Sequence, residues 1–339
     1  MIETGNEHAV FSVAFKFDSD GMHVLSGQED GLRRWRIADG QEVGKQPGSE
    51  VRAISVSRDG KWIVCGTENG ASVWDAKMQE KAIEVEGTAG VMAVDISPDS
   101  ARFATAATKA GSDCKASIWN ITTGERLVGP LKHDNYMTGI KFSPNGEHIA
   151  TAVEEDSIRV FDSHNGDQLI TIETDIPGLW PSTPLAWSNN GQQLFAASED
   201  RKIKSFDVST GSQLAEAQVQ GDGRFKSIAL ATNGKFLVTI VDRSISFWDT
   251  STLTQIGPVV ENSRNVCSIA LSPDCNYLAT GGGGHIAIRN LYNILPDLYG
   301  PFRVSIHVFT ILSDKSHNVF PLLISPLGTH SRRGWIGKT

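Results

Sequence analysis

Along residues 133–162, HDNYMTGIKFSPNGEHIATAVEEDSIRVFD, apolar and polar positions alternate in short bursts separated by turn-forming residues. Thr138, Ile140 and Phe142 alternate with Gly139 and Lys141, the period-two pattern of a strand that buries one face. Ser143-Pro144-Asn145-Gly146 then reverses the chain, because Pro presets φ and Asn-Gly accepts the positive φ of a tight turn. A second strand is expected over 148–152, a polar turn at Glu154-Glu155-Asp156, a third strand over 157–161 ending on Phe161-Asp162, and a fourth over 168–172. Strands of about five residues in a unit this thin bury too little apolar surface to stand alone, so the pattern predicts copies to stack on.

The copies are present. Equivalents of Phe161 fall at Trp35, Trp74, Trp119, Phe206, Trp248 and Arg289, spaced 39, 45, 42, 45, 42 and 41 residues apart when Phe161 is included. Trp74, Phe161, Phe206 and Trp248 are each followed by Asp, and Trp119 by Asn120. The period and the aromatic-acid pair resemble the WD-repeat (WD-40) β-propeller family over roughly residues 5–295. The resemblance implies an all-β fold, a seven-bladed β-propeller of four-stranded antiparallel blades.

A second regularity lies six residues before each anchor, at Glu29, Glu68, Asp113, Glu155, Asp200 and Asp242, with Gly283 in the seventh repeat. Asp and Glu make up 39 of 339 residues, so chance would supply fewer than one acid in seven such positions. In the family an acid in this turn accepts hydrogen bonds from backbone or His groups, which implies a structural role for all six. His133, with Asp134 beside it, holds the place of the family's loop histidine, and the resemblance implies a structural hydrogen bond there too.

The propeller is therefore expected over 1–295. Its last blade needs a fourth strand, since an unpaired edge invites association. Residues 1–7 offer only two apolar side chains, whereas Val304, Ile306 and Val308 alternate with Ser305 and His307. Residues 303–312, within a segment 296–312, are the expected closing strand, and 313–339 an irregular, mobile tail. Two loops depart from the repeat. The third blade's hairpin, 108–114, is long, and the linker 175–184 holds three prolines around Trp180, which is expected to project at one end of the channel or to plug a gap between blades.

Net charge is −8, so no global nucleic-acid footprint is present, and nucleic acid is not an expected partner. The N-terminus lacks a basic start and apolar run, and no stretch approaches the ~20 apolar residues of a membrane span, so no membrane partner is expected and the chain reads as cytoplasmic, with the nucleus second. Cys65, Cys114, Cys267 and Cys275 have no metal or redox spacing. Cys65 and Cys267 are expected as buried thiols in strands. Asn120-Ile121-Thr122 matches the glycosylation triplet, but Asn120 simply stands at the acid position beside an anchor.

No motif carries chemistry. Gly281–Gly284 lacks a following helix, the nine histidines form no H-E-x-x-H pair, and there is no nucleophile elbow. No catalytic residue, cofactor or metal is expected. The leading expectation is a non-catalytic scaffold that presents one propeller face to a protein or peptide. The alternatives are a propeller enzyme of hydrolase or lyase type with a cation or substrate in its channel, and the sensor part of a larger signalling protein. Counting ten residues back from the second residue of each inner turn gives Phe11, Glu50, Gly90, Tyr136, Pro181, Arg224 and Asn265; eight back gives Arg52, Thr138 and Lys226. Aromatic and Arg side chains are the usual energetic anchors of interfaces, so Arg52, Tyr136, Trp180, Arg224 and Lys226 are the expected partner-binding residues.

Overall fold

Short alternating strands joined by tight turns fold here into seven four-stranded sheets that follow one another in chain order. The computed structural model describes residues 2–3, 9–19, 21–86, 90–108, 114–176, 184–221 and 223–299. Blade four consists of Met137–Phe142, His148–Val153, Ser157–Asp162 and Gln168–Glu173, paired antiparallel throughout. All seven anchors occupy the penultimate position of a third strand. A 3-10 turn, Leu291–Asn293, and a short helix, Pro296–Tyr299, follow the last blade.

Turn chemistry accounts for the sharp strand ends. In blades two, three, four, five and seven a serine closes the inner strand: Ser57, Ser97, Ser143, Ser188 and Ser272. Its Oγ donates to an Asp or Asn two residues on and accepts the backbone N–H five residues on, which locks the reversal. Asp75, Asn120, Asp162, Asp207 and Asp249, beside the anchors, accept backbone N–H groups from the next turn. Blade one differs. Its inner strands, Val10–Asp18 and Gly21–Gln28, run on past the usual turn. The extension buries Lys16 and His23 around Asp18, where Lys16 and Arg34 form ion pairs and His23 Nδ1 lies 3.4 Å away.

The anchors act through one buried hydrogen bond. Indole N–H groups of Trp35, Trp119 and Trp248 donate to Ser26, Thr105 and Thr239 on the neighbouring strand, at 2.9, 3.0 and 2.9 Å. Blade two has Cys65 at that acceptor position, and Trp74 donates to Ser72 instead. In blade seven Arg289 takes over the donor's task, giving Nη1 to Thr280 at 3.0 Å and Nη2 to Asn262. Phe161 and Phe206 have no donor. Blade five correspondingly has Ala196 at the acceptor place, and Thr151 in blade four donates to the Arg159 carbonyl.

The ring closes otherwise than the alternation in 303–312 suggests. The edge of the last blade pairs with Ile2–Glu3, in register Ile2↔Ile286 and Glu3↔His285; residues 303–312 lie outside the described residues. The outer strands explain why apolar alternation is a poor guide here. Glu42–Pro47, Gln213–Gln218 and Gln255–Glu261 are largely exposed, so an outer strand is recruited by backbone pairing rather than by its side chains. Blades seven and one also pack directly: a Cβ on Gly281 would lie 2.6 Å from Cγ1 of both Val10 and Val13.

Two outcomes follow. Removing residues 1–3 deletes this pairing, worth about 1 kcal/mol per backbone hydrogen bond, and is expected to speed amide exchange at His285–Ile286, the paired end of the strand, several-fold by mass spectrometry. Arg289→Leu keeps much of the volume but strands Thr280 and Asn262, and is expected to cost about 1–3 kcal/mol in urea unfolding.

Candidate functional site

Each inner strand begins with an irregularity that matters for the surface. In blades one, two, three, four and six the pairing register skips one residue near the start of the strand: Phe11, Arg52, Met92, Thr138 and Lys226. A bulge frees that residue from the ladder and re-aims its side chain. Cys267 holds the corresponding place in blade seven, directly before Ser268–Leu271, and the counterpart in blade five, residue 183, lies outside the described residues. The six described positions ring one mouth of the central channel. Phe11, Arg52, Met92 and Cys267 line a space of about 50 Å³ there. Arg52 is held in place, with Nε 3.2 Å from Glu50 Oε1 and Nη1 3.5 Å from Met92 Sδ. Cys267, expected inside a strand, is instead only partly buried beside this mouth. Its thiol is pushed up by burial and drawn down by the charge of Lys226. Cys65 is fully buried, as expected, and burial pushes its pKa to about 12.

The opposite mouth is wider, about 750 Å³, and is framed by the inner turns, including Phe17, Arg58, Asp59, Pro144, Thr232 and Pro273. On the circumference, bulges in three consecutive outer strands leave Leu127, Leu169 and Leu214 about half exposed. Among the described residues, no three His, Cys, Asp or Glu side chains are placed to hold a metal ion.

Comparison with known proteins places this architecture. The family model "WD domain, G-beta repeat" matches residues 40–75, 80–120, 126–162, 185–207 and 254–290, just over half of the chain. The chain belongs to the WD-repeat family. Curated relatives include the nuclear distribution protein nudF of Aspergillus niger, 26% identical over 190 residues, covering 49% of this chain and 42% of that protein. The serine-threonine kinase receptor-associated protein of Dictyostelium discoideum is 23% identical over 158 residues, covering 47% and 53%. The guanine nucleotide-binding protein subunit beta of Solanum tuberosum is 24% identical, covering 48% and 40%. The chain thus matches about half the length of these relatives. Among solved structures, the β-propeller domain of Cps50 (Swd1) from Myceliophteria thermophila superposes with a TM-score of 0.68 at 18% identity, over 83% of this chain and 95% of that one.

The WD-repeat matches are out of phase with the blades. The segment 40–75 holds the outer strand of blade one, Glu42–Pro47, followed by three strands of blade two. A repeat therefore spans two blades, which is why the strand completing blade seven comes from the start of the chain.

The residues expected to meet a partner separate into two circles. Arg52 and Lys226 lie in the bulge ring. Tyr136, 41% exposed, and Arg224, also exposed, stand one step outward, immediately before the inner strands. Phe11, grouped with Tyr136 by counting back from its turn, belongs instead with Arg52, because blade one's longer inner hairpin displaces the turn. Trp180 and Asp113 lie outside the described residues. Counting alone missed Arg243 and Arg264, both exposed on the same face. For Arg243 the signal available was a second position, five residues before the anchor, which is charged in four of the seven repeats: Asp30, Asp156, Arg201 and Arg243; nothing comparable marks Arg264.

The turn acids are not used uniformly. Asp200 accepts the Lys202 N–H at 3.2 Å and Asp242 the Arg224 N–H at 3.3 Å. In blades one and four Glu29 and Glu155 are exposed, and the neighbouring acids make contacts of their own: Asp30 pairs with Arg33 and Lys45, and Asp156 accepts from Ser157 and Arg159. Glu68 is exposed. Around blades four and five the face is acidic. Burial, then the charges of Glu155 and Glu199, hold the Glu154 carboxyl above its usual range.

His133 makes no hydrogen bond of the kind expected. It is buried, and neither ring nitrogen has a partner among the described residues. Arg159 occupies Asp156, while the imidazole stands edge-on to Phe161 at 5.7 Å. Burial, reinforced by the Arg159 charge, lowers its pKa to about 4 despite Asp134 and Asp156. Between pH ~6.5 and ~4 the unfolded chain then binds the proton and the folded chain does not, so stability falls as pH drops through that window. His133→Leu is expected to remove this slope, on the order of 3 kcal/mol in full, from denaturant midpoints measured against pH.

Proposed function

We propose that this chain is a non-catalytic scaffold that presents its bulge-ringed face to a protein or peptide partner. WD-repeat propellers are in general interaction proteins rather than enzymes. Two of the relatives bear association in their names, as a receptor-associated protein and as a subunit. The observation that carries the reading is the set of inner-strand bulges, which point Phe11, Arg52, Met92, Thr138 and Lys226 at one mouth. Aromatic, sulfur-bearing and cationic groups on a rigid rim are the side chains that anchor interfaces at low ordering cost. Tyr136 and Arg224 extend the rim outward, and the backbone beneath them is tied to the adjoining turns: Glu154 N–H donates to Tyr136 O at 2.8 Å, and Asp242 N–H to Arg224 O at 3.1 Å.

Affinity capture with the full chain, read by mass spectrometry, tests the assignment. Partners captured by the wild type are expected to be lost by a variant carrying Arg52→Ala and Tyr136→Ala, at about 2 kcal/mol or roughly thirtyfold per anchor, with an unchanged thermal midpoint. Retention of every partner by the double variant, or turnover in a hydrolase and lyase screen, would sink it.

A further inference from the structure

Resting on the scaffold reading, we infer that the partner segment is acidic, held across blades six and seven by Arg224, Arg243 and Arg264 and met at the channel mouth by Lys226. These cations sit on one knitted piece of backbone. Arg224 and Asp242 exchange hydrogen bonds, Asp242 O accepts from Val266 N at 3.0 Å, and Arg243 O accepts from Asn262 N at 2.9 Å. Arg264 Nη1 donates to Gly283 O at 2.9 Å, which ties its loop to the last hairpin. Arg224, Arg243 and Arg264 are exposed.

Their charge is left over. Many other cations on this protein meet carboxylates, as Arg33 meets Asp30 and Glu42, Arg36 meets Asp39, Arg159 meets Asp156, and Lys202 meets Glu216, whereas others, Arg102 and Arg201 among them, bond to backbone carbonyls. Among the described residues none of Arg224, Lys226, Arg243 and Arg264 makes such a pair. Of the acids in their midst, Asp242 faces the Arg224 backbone N–H and Glu261 accepts from Ser244 Oγ. Like charges gathered within a Debye length of about 10 Å repel one another until an anion arrives, and guanidinium groups bind carboxylates through paired N–H donors.

The same face decides between an acidic peptide and a nucleic acid. Following the ring back to blades five and four the sign reverses, at Glu199, Asp175, Glu155 and Glu154, while Asp200 is paired with Lys202 and Lys204. A run of three or four acidic residues is short, about 10–14 Å, and can stay with the cations, whereas a longer phosphate backbone that followed the ring would meet these carboxylates. A net charge of −8 opposes a polyanion further.

Selection from a random peptide library on the immobilised full chain tests the inference, followed by titration with fluorescent probes of about twelve residues carrying four Glu or four Lys, and with a single-stranded oligothymidine of similar length. An acidic consensus is expected. The Glu probe should bind, weaken at least tenfold between about 50 and about 300 mM salt, and weaken at least tenfold again with Arg224→Glu plus Arg243→Glu. The milder Arg224→Gln plus Arg243→Gln should fall between and guards against misfolding. The Lys probe and oligothymidine should not bind. Glu-probe binding indifferent to these variants, or oligothymidine binding with the same sensitivity, overturns the inference. A neutral or basic consensus lost on Arg52→Ala plus Tyr136→Ala overturns it while leaving the scaffold reading intact; no selected peptide and no captured partner overturns both.

Discussion

Because a four-stranded blade is one layer thick, it must borrow its core from the blade beside it, and the whole molecule follows from that. Seven hydrophobic clusters fill the structure, and each straddles one interface between neighbours. Val10, Val13 and Trp35 of blade one share theirs with Ala279 and Ile286 of blade seven, so the last interface is as dry as the first. Full burial of a Leu, Ile or Phe contributes about 1.5–3 kcal/mol, and none of it is available to a blade by itself.

Between these cores the anchor position tolerates chemistry that a simple hydrophobic site would not. Trp, Phe and Arg all stand there, and what travels with the change is the acceptor across the strand pair. Serine or threonine accompanies Trp35, Trp119, Trp248 and Arg289, while alanine faces Phe206. A buried polar atom without a partner costs about 1–3 kcal/mol, and where the pairing is broken a substitute appears: Trp74, with Cys65 at the acceptor place, donates to Ser72, and Thr151, with Phe161 at the donor place, donates to the Arg159 carbonyl. Arg289 shows the limit: its guanidinium is buried deeply enough that desolvation lowers its pKa, and it keeps its place through Thr280 and Asn262.

The same layering separates structure from recognition. Side chains between blades are consumed by packing, turn acids and serines by the reversals. Freedom to vary remains where the ladder is broken, at the inner-strand bulges and the loops just upstream. This chain has used that freedom unevenly around the ring, with carboxylates on blades four and five and unpaired cations on blades six and seven. Loops set on rigid strands are the arrangement in which a surface can be specific without reorganising on binding.

Much of this was legible in the residue order, because strand alternation, turn residues and a period near 42 are local properties of a chain. Seven blades, the strands of blade four to within a residue at their ends, and the position of every anchor could be read that way, Arg289 included. What lay beyond the sequence depends on contacts between distant segments. Ile2–Glu3 closes the ring because backbone pairing at an exposed edge needs no apolar pattern. Phe11 joins Arg52 rather than Tyr136 because blade one's hairpin is longer, and His133 packs on Phe161 without a hydrogen-bond partner among the described residues while Arg159 holds Asp156. Local order determined the blades; the bulges, the closure and the gathering of charge on one face were decided only when the seven were set around a common axis.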